Sequence, residues 1–336
     1  MKHPRRRLLG GAMGLLATPA VPRFARAAEF SWRLGHTAPI DFPLHKRLSE
    51  AAAEIARETD GRVEIAILPN GELGGQLGLL SQVRGGTIDV TMVAGASLMG
   101  VLAAAYTQSV GFAFPDYARL WAAMDGDLGK ALRTQMAQRL GLAVMERVWD
   151  FGFRQITTTT VPIRTAADLK GLKIRAPIDG DLIGLFRALK AAPLGLNLQD
   201  LVPALQNRAL DGQEGLLPLV QAMRLQDMQS YCAITNHVWD GLWLCCNDRA
   251  WRRLPDKLRD VVAAAFNRAA VRQREDTAAA DTAVRDVLTA QGMTFTTPDL
   301  GSFRAVLRGT SYYKEASVRA GDDAWAALEK YAGRLV

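Results

Sequence analysis

The chain has 336 residues, 49% of them hydrophobic and 22% charged, with 41 Lys and Arg against 34 Asp and Glu for a formal net charge of +7. That length favours two domains over one and allows a large core without disulfides or metals. The composition is that of a soluble globular protein, and no apolar run is long enough to remain as a membrane span.

The N-terminus runs from Arg5, Arg6 and Arg7 into an apolar stretch, Leu8 to Ala20, and then into small residues around Ala27. This is the order of an export signal, residues 1–27, cleaved near Ala27 to release the chain into the periplasm. Arg5-Arg6-Arg7-Leu8-Leu9 also fits a twin-arginine signal, with the general secretory route as the alternative. The signal carries six of the 41 basic residues and no acid; its loss leaves 35 against 34, a net of +1. The basic excess therefore belongs to the signal, and nucleic acid is not an expected partner.

Phe30, Trp32 and Leu34 alternate with polar residues as in a strand, and Leu44, Leu48, Ala52 and Ile55 then mark a helix ended by Asp60-Gly61. Val63, Ile65 and Ile67 form a second strand. A helix through Leu79, Leu80 and Val83 stops at Gly85-Gly86, and Ile88, Val90 and Met92 give a third strand. This β-α-β-α-β order predicts a mostly parallel sheet covered by helices. Gly129-Lys130 is expected to open a helix over 131–139. A second α/β unit begins near Phe151, with a β-prone stretch at Thr157–Val161, a short helix at Ala166–Leu169 and a strand at Leu172–Arg175. Leu242–Cys246 reads as a buried strand that makes small hydrophobes of Cys245 and Cys246; with Cys232 the count is odd, so at least one thiol stays free or pairs between chains. Between Pro255 and Gly292 no proline or glycine occurs, which predicts one helix roughly 54 Å long at 1.5 Å per residue, lying across both domains.

Catalytic signatures are missing. There is no Gly-x-Ser-x-Gly, no His-Glu-x-x-His and no Gly-x-Gly-x-x-Gly after a strand. Once the signal is removed, His36, His45 and His237 stand far apart in sequence, without metal-ligand spacing. The expectation is a binding protein rather than an enzyme, with no cofactor and no resident metal.

Four segments carry the positive case: Asp60-Gly61-Arg62-Val63 with Leu68-Pro69-Asn70-Gly71-Glu72-Leu73-Gly74 and Gly85-Gly86-Thr87-Ile88-Asp89-Val90; Gly152-Phe153-Arg154-Gln155; Pro162-Ile163-Arg164-Thr165-Ala166-Ala167-Asp168-Leu169-Lys170-Gly171-Leu172-Lys173-Ile174-Arg175-Ala176-Pro177; and Ala204-Leu205-Gln206 with Leu210-Asp211-Gly212-Gln213-Glu214. From about Phe30 onward the chain closely resembles the DctP-type solute receptors of tripartite ATP-independent periplasmic (TRAP) transporters. The resemblance implies a two-domain periplasmic binding protein of α/β class, with hinge strands, a long helix spanning both domains and a small organic acid enclosed between them. The expected domains are 28–151 with 241–280, and 152–240 with 281–336. It also implies a monomer delivering its solute to the membrane subunits of an ion-coupled TRAP transporter; a receptor of the same fold for an ATP-driven importer or a sensor kinase is the alternative.

The resemblance makes Arg175 the carboxylate clamp. A guanidinium at the end of a strand offers two parallel donors to a carboxylate, and it is expected to face solvent in the open form. Lys173 is expected on the opposite face of that strand. Arg154 is either a second contact to the solute or a support for the hinge, and His36 is a candidate from the first loop. Glu214 is the carboxylate to watch for a metal bridging solute and protein, against an ion pair with a nearby arginine. Ala94-Gly95-Ala96 and Gly215 stand where sialic-acid receptors carry polar groups. With Trp149, Asp150, Phe151 and Trp239 near the hinges, as cleft or as core, this leans toward a smaller or more apolar acid whose hydroxyl or amine Asp150 receives.

Overall fold

The computed structural model describes residues 27–178 and 181–336; residues 1–26, and with them the body of the expected export signal, lie outside the described part. Five strands open the chain's first sheet: β1 (Phe30–Gly35), β2 (Val63–Leu68), β3 (Val90–Ala94), β4 (Leu142–Val144) and β5 (Trp149–Phe153). The chain then crosses to a second sheet through β6 (Gln155–Thr158), β7 (Lys173–Ala176), β8 (Ala192–Gly195), β9 (Gly212–Gly215) and β10 (Tyr231–Ala233). It returns to the first sheet as β11 (Trp239–Asn247) and ends its strands with β12 (Thr294–Thr296) in the second. Two direct strand-to-strand crossings result, one at Arg154 and one over residues 234–238, and a third passage, between β11 and β12, runs through helices.

The first sheet runs β2-β1-β3-β11-β4, with β5 also pairing β11. Its β2-β1-β3 portion is parallel, as the alternating elements predict. β11 runs against β3, β4 and β5, so the sheet as a whole is mixed. The reason is that β11 enters from the second sheet rather than from a right-handed crossover on its own sheet. The second sheet runs β12-β10-β6-β9-β7-β8 and is mixed as well.

Alternation along β11 feeds two cores. Trp243 and Cys245 face Leu79 and Val83, while Leu242, Leu244 and Cys246 face Leu48, Ile55, Val262 and Phe266. All three cysteines are buried and unbridged, and burial pushes their thiols up, Cys232 to about 12. They pack as small hydrophobes. The helix Pro43–Glu58 starts with Pro at its first position and buries Leu44, Leu48, Ala51 and Ile55; the Thr59 hydroxyl donates to Ile55 O at 2.7 Å and closes it. Ala51 rather than Ala52 lies on the buried face.

The long helix covers Asp256–Ala290, 35 residues or about 52 Å. It packs on Pro43–Glu58 and β5 from the first half and on Leu217–Ala222 from the second. Its buried stripe runs from Leu258 to Arg274 and resumes only at Leu288. The helix expected from 131 begins earlier, at Asp127, and runs to Leu140. Gly129 lies inside it because a Cβ there would sit 1.7 Å from Met124 O, so the glycine serves a close approach rather than a start. The final helix, Asp322–Ala332, packs against Tyr117–Met124 and Asp127–Leu140.

Candidate functional site

The two crossings are bonded to each other, since Arg154 N donates to Val238 O at 2.8 Å. The Arg154 side chain, 13% exposed, gives Nε and Nη2 to the Glu214 carboxylate at 2.5 and 2.7 Å, and Nη1 to Asp240 at 3.1 Å. Glu214 lies on β9 opposite Ile156 of β6 and is wholly buried. Burial pushes its carboxyl up, yet the Arg154 charge and the bonds from His237 and Arg154 outweigh this and hold it well below the usual carboxylate range. His237, also buried and kept neutral by burial, stands 3.2 Å from Glu214 through Nε2 and 2.8 Å from Thr235 Oγ1 through Nδ1. A carboxylate only accepts, so Nε2 carries the proton and Nδ1 accepts from the Thr235 hydroxyl. Glu214 is thereby committed to Arg154 and His237, the ion-pair role rather than the metal one.

Two cavities with part of their walls in common open where the halves meet. The first, about 130 Å³, is walled by Arg154, Asp240, Asp181, Leu182, Val238 and Tyr312 among others. The second, about 320 Å³, is walled by His36, Thr37, Gln76, Ala94, Phe151 and Asp240 among others. Ala96 and Asp240 belong to both walls. His36 Nε2 meets His45 Nδ1 at 3.1 Å, and burial together with the neighbouring ring lowers the His36 pKa to about 4. His36 is therefore a neutral hydrogen-bonding group at pH 7.

Arg175 ends β7 as expected but does not face solvent. It is 5% exposed, and Nε and Nη2 donate to Leu196 O at 3.0 and 2.8 Å among its contacts. It lines neither cavity; Pro177, two residues on, lines the first. Lys173 is exposed and, being two residues from Arg175, shares its face of the strand, which corrects the opposite-face expectation. Gly215, at the end of β9, is buried and lines neither cavity.

Of the hinge aromatics, Phe151 reaches the second cavity. Trp149 and Trp239 are buried in the two cores, where their large rings gain most from losing water. Asp150 sits beneath the wall: its Oδ1 accepts from Gly152 N at 2.9 Å and Trp239 Nε1 at 2.8 Å. Its backbone is held by the long helix, with Asp150 N donating to Gln273 Oε1 at 2.9 Å and Gln273 Nε2 donating to Asp150 O at 2.7 Å. Burial raises Asp150 to about 6 against the bonds from Trp239 and other groups. Asp281 of the long helix, facing the same strand 3.8 Å from where a Gly152 Cβ would stand, is raised to about 7 by burial and then by the Asp150 charge.

The sign of this linkage is fixed. A carboxyl with a folded pKa of about 7 and an ordinary value of 3.8 binds more protons folded than unfolded between those pH values, so its contribution to stability is lost as pH rises through that window. Asp281→Asn should therefore melt closer to wild type at pH 5 and gain on it by about 2 kcal/mol at pH 8. Thermal melts across that range check this, and a gap that stays constant with pH would contradict it.

Sequence reasoning passed over Asp240, Asp181, Gln76 and Tyr312. Asp240 alone had a signal, a charged residue between Trp239 and Gly241 on the strand that crosses between sheets.

Comparison with known proteins agrees with this architecture. The family model described as DctP, bacterial extracellular solute-binding protein, family 7, matches residues 34–317. A solute-binding protein of Roseobacter denitrificans is 28% identical over 309 residues, covering 90% of this chain and 93% of its own. Among solved structures, a TRAP periplasmic solute-binding protein from Ochrobactrum anthropi, whose C-terminus is bound in its ligand-binding pocket, superposes with a TM-score of 0.87 at 22% identity, covering 91% of this chain and 95% of its own. Another from Desulfovibrio salexigens, with bound orotic acid, superposes with a TM-score of 0.76 at 27% identity, covering 91% and 100%. With two α/β halves, two crossings and a cleft between them, the chain belongs to the DctP family of bacterial extracellular solute-binding proteins.

Proposed function

We propose that the protein is a periplasmic receptor that encloses a small organic acid between its two halves, residues 28–151 with 241–280 and residues 152–240 with 281–336. It hands the acid, chemically unchanged, to the membrane subunits of an ion-coupled TRAP transporter. The observation that carries this is Arg154, standing on the cleft wall at the crossing between the sheets. Three of its five N–H donors are spent on Glu214 and Asp240, which leaves two for a solute. Arg175, at the C-terminal end of β7 where ligands of open α/β sheets gather, is the second cationic contact we assign. His36 and Phe151 supply a neutral polar group and an apolar face on the other side. Family membership, and the acid bound by the relative from Desulfovibrio salexigens, support the same reading.

Denaturing protein purified from its native periplasm and identifying what is released by mass spectrometry tests this. A small carboxylic acid in near-stoichiometric amount is the expected result. A neutral sugar or a cation without a carboxylate would overturn it.

A further inference from the structure

Asp240 occupies an unusual position in the cleft. With Ala96 it is shared by both cavity walls, and it is the only ionisable side chain so placed among the described residues. It lies on β11 at a bulge, where the register with β5 shifts between Asp240 and Gly241. Bulges re-aim side chains, and glycine at 241 lets the Trp239 ring lie against this one, since a Cβ there would stand 2.0 Å from it. The Asp240 side chain is 22% exposed and has one hydrogen-bonded partner among the described residues, Arg154 Nη1. A carboxylate offers about four acceptor sites, so most of its capacity is unspent at the cleft wall.

The charge balance points the same way. Arg154 carries one positive charge, gives its best bidentate geometry to Glu214 and shares the remainder with Asp240. His237 adds none, because burial keeps it neutral. The Arg154–Glu214–Asp240 cluster is thus one negative charge in excess, and Asp181, the other acid on the first wall, is already paired with Arg319. A plain carboxylate pressed against this cluster would meet Asp240 as a like charge. A solute that brings a hydroxyl or ammonium group to Asp240, with its own carboxylate on the arginine side, relieves the excess.

We infer that Asp240 selects for acids carrying a hydrogen-bond donor, a hydroxyl or an amine, close to the carboxylate. This deepens the organic-acid reading and rests on it. Asp240 then takes the part that the hinge sequence had suggested for Asp150, which is buried beneath the wall.

The test is calorimetric titration of ligand-stripped protein with matched probes: propionate, lactate and alanine; succinate, malate and aspartate; hexanoate and gluconate. Wild type should bind a hydroxy or amino acid about tenfold or more tighter than its plain partner, the worth of one hydrogen bond to a charged group. Asp240→Asn, whose amide oxygen still accepts but carries no charge, should weaken that preference, and Asp240→Ala, which removes the acceptor, should erase it. Melting curves of both variants establish that they are folded. Plain acids binding as well as their partners, or a preference unchanged in both variants, would overturn the assignment and leave the organic-acid reading standing. If no acid of either kind binds while neutral counterparts such as glycerol or glucose do, the underlying reading fails and the assignment goes with it.

Discussion

Arg154→Met is expected to destabilise the fold by about 3–5 kcal/mol, the cost of leaving a buried charge without its partner. Glu214 is wholly buried and depends on Arg154 for two short charged bonds, with only a neutral histidine beside it. In the variant this carboxylate must either stay ionised in a poor solvent or take up a proton. Stability should therefore fall most at neutral pH and recover in part on acidification, as Glu214 protonates. Urea unfolding at pH 7 and pH 5 measures both effects. Replacing the two residues together, Arg154→Met with Glu214→Leu, should restore much of the loss, because apolar pairs often substitute for buried ion pairs at little cost. A single variant as stable as wild type would show that the pair lies open to water.

Arg175→Ala is expected to weaken binding of the co-purifying acid by about 2–5 kcal/mol, roughly thirty-fold to several thousand-fold. Arg175→Lys keeps the charge but loses the planar fork, so its loss should be smaller. Both variants should also melt earlier than wild type. Arg175 is almost fully buried, and Leu196 O would lose the two N–H donors it accepts from. Affinity must accordingly be read well below the melting temperature of each variant. Titration calorimetry beside thermal melts separates the two effects, and undiminished affinity in the alanine variant would remove Arg175 from the site.

What the sequence made legible follows from the range of the interactions involved. Local patterns of apolar residues placed β1, β2, β3, β7 and β11 near their observed bounds, and a span free of proline and glycine did the same for the long helix. Strand direction in the first sheet was less accessible: β11 pairs with β3 across some 150 residues, a choice made by the crossing and not by local pattern. The same limit governs the site. Arg154, Arg175 and Glu214 could be named because they sit in motifs, whereas the pairing of Glu214 with Arg154, 60 residues away, could not be read locally. Asp150 and Asp240 are both acids beside tryptophans near a crossing, yet only Asp150 was singled out in the sequence. Only the bulge at Gly241 and the bond from Trp239 to Asp150 separate them, turning one toward the cleft and the other inward. Trp149 and Trp239 show the same ambiguity, since size and aromaticity suit a core and a cleft equally well.

The amide of Gln273 has a mechanical consequence. By bonding both the N–H and the C=O of residue 150, it fastens that point of the crossing strand to the long helix. Two residues on, Gly152 has φ +108, a conformation available to glycine and costly for other residues, and Arg154 follows where the chain leaves the first sheet. In this strand, the span left to accommodate a rotation of one half against the other is the few residues from Gly152 to Arg154, beside the second crossing at 234–238. A rotating body displaces its parts in proportion to their distance from the axis, so Arg154 sits near the still point while the outer lips of the cleft travel furthest. As the proposed solute contact, Arg154 would keep its geometry throughout such a swing, and admission would be governed at the rim.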